Sequence, residues 1–172
     1  PHFVRRRQRQ MCIRDRALSF SSAPDFENPS DANSGNDYVV IVRATDSAGN
    51  TSDQTVTVSV TDLDDTNPLI TGNNGGAGSS TSSVSVNENQ TTVHTFTANE
   101  TVTWSLSGGD DASRFNINSS TGALSFSSAP DFENPADANT GNDYVVIVRA
   151  TDSASNTSDQ TVTVSVTDLD DT

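Results

Sequence analysis

Carboxylates are the groups in this sequence best able to do chemistry, and they recur at strand-like spacings. Glu88 continues the alternation of Val84 and Val86, Asp131 and Glu133 stand two apart, and Asp168, Asp170 and Asp171 follow Val162, Val164 and Val166. Residues two apart in an extended segment point the same way. Two unit charges about 4 Å apart repel by about 1 kcal/mol in water and about 4 kcal/mol at an effective dielectric of 20. Carboxylates gathered at one place therefore need protonation or a cation. Six to eight hard oxygen ligands, with no His or Cys among them, select calcium. General acid–base catalysis would use the same pairs. Against it stand the lack of pocket-forming helices and the lack of a nucleophile elbow around any Ser. His94 is the only histidine beyond the first sixteen residues.

Composition removes further classes. The chain has 172 residues, all nine bases are arginine, and six of them lie in the first sixteen positions. From Ala17 onward three arginines face twenty-two acids, a net charge of −19, which excludes a grip on nucleic acid. Without lysine there is no P-loop, Schiff-base or Lys–Asn isopeptide chemistry. Cys12 is alone, so no internal disulfide forms. No run of 18 apolar residues offers a membrane span, and no hydrophobic signal core stands near the amino end. Residues 1–16 clash with everything after them in charge and composition and read as a foreign basic flank.

The elements that must position the acids come in two copies. Ala17–Thr66 recurs as Ala123–Thr172, differing only at Ser30/Ala136, Ser34/Thr140 and Gly49/Ser155. The offset of 106 is the size of an immunoglobulin-like module. Alternating apolar residues predict seven strands: Val84 and Val86; Val93, Phe96 and Ala98; Val102, Trp104 and Leu106; Phe115 and Ile117; Leu124 and Phe126; Tyr144 to Ala150; Val162 to Val166. The expectation is an all-β, seven-stranded Greek-key β-sandwich preceded by an incomplete copy of itself. Residues 17–68 form the rear half of one repeat, 69–83 a Gly/Ser-rich linker, and 84–172 a complete repeat. Both ends read as cuts within a longer array.

The half-repeat lacks the strands to close a core and is expected to be poorly ordered. It could compete to complete the sandwich, but the in-sequence copy is favoured because its link is short. Asp137–Asp143, which superficially resembles a calcium loop, has its glycine at position 5 and no glutamate at 12; a solvated loop is expected. Trp104, flanked by Val102 and Leu106, reads as core.

Asn87-Glu88-Asn89, Thr121-Gly122-Ala123-Leu124 with Asp131-Phe132-Glu133, Ala150-Thr151-Asp152 and Asp168-Leu169-Asp170-Asp171-Thr172 stand in the order of the E-N, T-G-x-L … D-x-E, A-x-D and D-x-N-D-N motifs. In this the chain resembles cadherin repeats, in full over Val84–Thr172 and in part over Ala17–Pro68. The wording PDFENPADAN is similar to bacterial cadherin-like repeats of large surface proteins. The resemblance implies calcium at each junction between repeats. Glu88, Asp131, Glu133 and Asp171, with the Leu169 carbonyl, would hold a pair of ions; Asp170 would serve a third, and Asp168 would orient the linker. In the first copy Asp25, Glu27 and Asp65 fill these roles within Asp62-Leu63-Asp64-Asp65-Thr66 and its neighbours, and Asp152 would face Asp64 across the junction. The D-x-D expected after the second strand is replaced by Ala98-Asn99-Glu100, which puts the third ion in doubt. The implied role is an extracellular, non-enzymatic, calcium-rigidified spacer or adhesion module of a larger surface or secreted protein. Its partners would be calcium ions, neighbouring repeats, and other adhesin chains or a cell-surface ligand. The competing expectation is a carbohydrate- or host-ligand-binding sandwich, for which the sequence offers no exposed aromatic pair.

Overall fold

The computed structural model describes residues 17–170, which divide into two compact units on either side of the Leu63–Asp64 bond. The first unit is a hairpin of β1 (Asp37–Thr45) and β2 (Thr51–Ser59). The second holds β3 (Ile70–Thr71), β4 (Thr81–Asn87), β5 (Thr92–Thr95), β6 (Thr97–Ala98), β7 (Thr103–Gly108), β8 (Phe115–Ile117), β9 (Ala123–Phe126), β10 (Asp143–Thr151) and β11 (Thr157–Thr167).

The second unit is the seven-stranded sandwich, with its first strand split into β3 and β4 and its second into β5 and β6. One sheet runs β4–β11–β10–β7, the other β5–β9–β8, and β3 pairs with β6. Tyr144, Val146, Val148 and Ala150 of β10 face Val162, Val164 and Val166 of β11 within one core, and all are buried. β11 alternates β-branched Val with Thr or Ser and so buries one side and wets the other, whereas β10 carries half-buried Val145 and Ile147 on its outer side. From the opposite sheet Phe115 stacks on Phe126 with ring centroids 4.5 Å apart, and both meet the Tyr144 ring edge-on. Trp104 is buried beside Phe96.

The in-sequence hairpin completes this sandwich: β10 pairs with β7, and β11 pairs with β4 in parallel. Parallel pairing puts the carboxyl ends of β4 and β11 at one pole. The antiparallel β10 ends at the other.

Residues 69–83, read from composition as a linker, hold β3 and the start of β4. Ile70 is buried, and Gln160, fully buried on β11, donates its side-chain amide to the Ser79 carbonyl and accepts the Ser82 hydroxyl. Gly72 lies so close that a Cβ there would sit 2.2 Å from Gln160 Oε1 and 2.7 Å from Ser82 Oγ. The glycine in this stretch serves close packing as well as chain freedom.

The half-repeat, expected to be poorly ordered, forms its hairpin through local bonds. Asp46 accepts the backbone N–H groups of Ala48 and Asn50, and Arg43 makes a two-point ion pair with Asp53 across the strands. The apolar side chains of β1 stay exposed or half-buried.

The turn joining each hairpin holds a left-handed residue, Gly49 at φ 87° in the first unit and Ser155 at φ 75° in the second. Glycine adopts this region without a Cβ penalty. Ser155→Gly should therefore stabilise the sandwich by about 0.5–1 kcal/mol, seen as a raised urea midpoint at unchanged slope. Gly72→Ala should destabilise it by about 1–3 kcal/mol through overpacking. Gly76, which has nothing within 4 Å of its Cβ position, should tolerate alanine in the same measurement.

Candidate functional site

Two groups of three carboxylates stand at opposite poles of the sandwich. At the pole where β4 and β11 end, Glu88, Glu133 and Asp168 bring carboxylate oxygens within 4.8 Å of one another. Glu88 is 1% exposed. It follows β4 directly, with its N–H on the Thr167 carbonyl. Its side chain accepts Phe132 N–H and Leu169 N–H, both at 2.9 Å. These two donors hold the Glu88 carboxyl below the usual carboxylate range, against the upward push of burial.

The loop that carries Glu133 is fixed from several sides. Buried Asp111 accepts Ala138 N–H and Val145 N–H, Asp137 accepts Gly141 N–H and Asn142 N–H, and the Asn142 side-chain amide donates to the Phe132 carbonyl. Ala136 N–H meets the Tyr144 hydroxyl. The Asp137 carboxylate is thus spent on its own loop's backbone, as a structural turn rather than a calcium loop.

At the other pole Asp64, Glu100 and Asp152 come equally close. Asp152, 8% exposed, follows β10. Burial pushes its carboxyl up, but the side-chain and backbone N–H groups of Asn156 outweigh this and draw it below the usual range. The Asn156 amide also donates to the Asp64 carbonyl at 3.0 Å, while Asn99 Oδ1 accepts Leu69 N–H at 2.6 Å. Glu100 is pushed up, first by burial and then by the negative charges of Asp64 and Asp152.

The expected site residues distribute as follows. Glu88 and Glu133 meet, and Asp168 joins them. Asp131 lies outside this trio and accepts Asn134 N–H. Asp170 is exposed and outside both groups, and Asp171 falls beyond the described residues. Asp152 and Asp64 come together, with Glu100 as the member that motif reasoning missed. The Ala98-Asn99-Glu100 stretch keeps an acid at the last position of the absent D-x-D, and that was its signal. In the half-repeat Asp25 is exposed and accepts Asn28 N–H, and Glu27 and Asp62 are exposed. Asp65 is exposed in the sandwich unit.

Every donor in both groups is a carboxylate oxygen, the donor chemistry that fits a hard divalent cation rather than a thiophilic metal. Trp104, buried in the core, offers no platform for a sugar. His94 sits half-buried, edge-on to Phe96 at 5.0 Å, and burial lowers its imidazole pKa.

A split-first-strand sandwich with acids at both poles is the form of an extracellular adhesion repeat. The cadherin domain model matches residues 80–167, just over half of the chain, and the chain belongs to the cadherin family, whose domains are extracellular, non-enzymatic and generally calcium-binding. Among solved structures, the extracellular domain of protocadherin GammaB4 is 25% identical at a TM-score of 0.54, covering 83% of this chain and 22% of that one. Protocadherin gammaB7 EC3-6, a cis-dimer structure, is 21% identical at 0.53, covering 82% and 35%. Human CDH23 EC21-23 is 20% identical at 0.51, covering 79% and 49%. The chain thus spans from about a fifth to a half of those chains. No curated protein matches it.

Glu88 and Glu100, one at each pole, should respond oppositely to pH in chelator. Glu88, held low by its donors, contributes stability that is present above the usual carboxylate range and lost as pH falls through its lowered value. Glu100, held high, favours the fold while protonated and loses that contribution as pH rises through its raised value. Glu88→Gln should lower the urea midpoint at neutral pH, with a difference from the parent that shrinks in acid. Glu100→Gln should raise it at neutral pH and flatten the gain on mild acidification.

Proposed function

We propose that the chain is a calcium-rigidified spacer and adhesion repeat of a longer bacterial surface or secreted adhesin-like protein. The observation that carries this is the presence of three converging carboxylates at each end of one sandwich. One carboxylate in each trio is buried and clamped by hydrogen bonds, Glu88 at one pole and Asp152 at the other. Side chains so fixed cannot relax away from their neighbours' charge. Two of the three described arginines, Arg43 and Arg149, are already paired with Asp53 and Asp159.

Glu88, Glu133 and Asp168 would hold one site and Asp64, Glu100 and Asp152 the other, with Asp131, Asp170 and Asp171 as further ligands at the first pole. Asp25, Glu27, Asp62 and Asp65 would serve the preceding repeat. Bound calcium would supply the positive charge that lets these acids stay together. The acidic ends would otherwise repel and swing. As a repeat array, the protein's stability is the sum of module and neighbour terms, and calcium acts on the neighbour term. Other adhesin chains or a cell-surface ligand would be engaged by the array it stiffens.

Calorimetric titration with calcium should release or take up heat, and saturating calcium should raise the melting temperature in chelator-stripped protein. A hundredfold excess over Kd corresponds to about 2.7 kcal/mol. Glu133→Gln and Glu100→Gln should each weaken one site, whereas Asp110→Asn, an exposed acid outside both trios, should leave both intact. No heat, with an unchanged melting curve, would reject calcium binding.

A further inference from the structure

The sandwich unit holds a small polar hollow outside both carboxylate trios, between the end of β9 and the loop that follows it. Its volume is about 220 Å³. Sites for drug-sized molecules run to about 300–1,000 Å³, so this one suits a single ring rather than a chain of them. Buried Phe126 and Tyr144 form its floor, and exposed Arg114, Ser128, Asp131 and Asn134 line its mouth.

Two hydrogen-bond donors in the hollow are unspent. Among the described residues Arg114 is the one arginine outside an ion pair. Its backbone is nevertheless fixed, since its carbonyl accepts Ser127 N–H at 2.7 Å and the Ser127 hydroxyl at 2.9 Å. The Tyr144 hydroxyl accepts Ala136 N–H at 3.0 Å, and among the described residues nothing accepts its own proton. A buried tyrosine hydroxyl ordinarily finds such a partner. The first copy shows one. Ser30, which stands where the second copy has Ala136, donates its N–H to the Tyr38 hydroxyl at 3.2 Å and keeps its own hydroxyl 3.5 Å from that oxygen. Alanine at 136 removes this hydroxyl and leaves the Tyr144 proton to the hollow.

We propose that the hollow binds one acidic sugar unit, a carboxylate carried on a hydroxylated ring. The Arg114 guanidinium is a planar fork that matches a carboxylate at two points, and the Tyr144 hydroxyl adds a donor beneath it. Asp131, an acceptor only, opposes any further negative charge but takes protons from sugar hydroxyls. Ser128 and Asn134 offer donors and acceptors alike. One carboxylate with several hydroxyls therefore answers every group in the lining, whereas a compact dianion such as phosphate would set excess charge against Asp131. None of these contacts passes through a metal.

The test titrates methyl glucuronide into the full chain in chelator, with amide NMR shifts as the readout, so that no signal comes from calcium bridging. Saturable shifts are expected at Ser128 and Asn134. Methyl glucoside, which keeps the ring without the carboxylate, and N-acetylglutamate, which carries carboxylates without the ring, should each bind more weakly. Arg114→Gln should weaken methyl glucuronide by about tenfold or more, the scale of a lost charged hydrogen bond, at an unchanged melting temperature. Ala136→Ser, which installs the hydroxyl seen beside Tyr38, should weaken it by a smaller factor. Absence of saturable shifts overturns the proposal, as does binding that Arg114→Gln leaves intact. Equal binding of methyl glucoside removes the carboxylate from recognition, equal binding of N-acetylglutamate removes the ring, and either result overturns it too.

Discussion

A buried carboxylate must find hydrogen-bond donors, and Glu88 finds them in two separate pieces of chain. Leu169 N–H comes from the exit of the last strand and Phe132 N–H from the loop that carries Glu133. One side chain thus ties the end of β4, the end of β11 and the loop between the sheets into a single acidic pole. Breaking one partner of such an arrangement strands the other, which is why satisfied buried polar groups specify a unique geometry. The ion chemistry proposed for this pole depends on that tie, because it keeps the three carboxylates from spreading apart.

The opposite pole uses a different device. There the fixed member is Asp152, held within its own turn by Asn156, and Asn156 reaches on to the Asp64 carbonyl. Glu100 is the member pushed up, by burial first and then by its two acidic neighbours. The first pole is organised by donors to a carboxylate, the second by an amide that bridges a turn to the incoming chain. Both leave carboxylate oxygens facing one another.

Much of this was legible in advance where period-two patterning operates. The inward phases of Tyr144–Ala150 and Val162–Val166 and the core place of Trp104 follow from alternation. What escaped lay where no periodicity exists. Ile70 is a buried apolar residue beside a stretch of Gly, Ser and Asn, and that stretch is tied through Ser79 and Ser82 to Gln160, about eighty positions later in the chain. Glu100 stood outside the motif because its spacing is kept but its companion acid is lost. Asp131 stays outside the trio for a local reason, since it accepts Asn134 N–H, whereas Asp168 follows directly on β11 and comes close to Glu88. The hairpin of the half-repeat formed despite lacking a core, since turn and ladder bonds are local and ask nothing of distant strands.

The parallel pairing of β4 with β11 has a mechanical corollary. The chain is led in near Asp64 at one pole and led out near Asp170 at the other, and the first and last long strands lie side by side in the same direction over seven residue pairs. Tension along the chain therefore pulls these two strands past each other lengthwise. All seven pairs share the load at once, where a peeled antiparallel hairpin would yield rung by rung. Tensile strength is thus set by a ladder in the middle of the module.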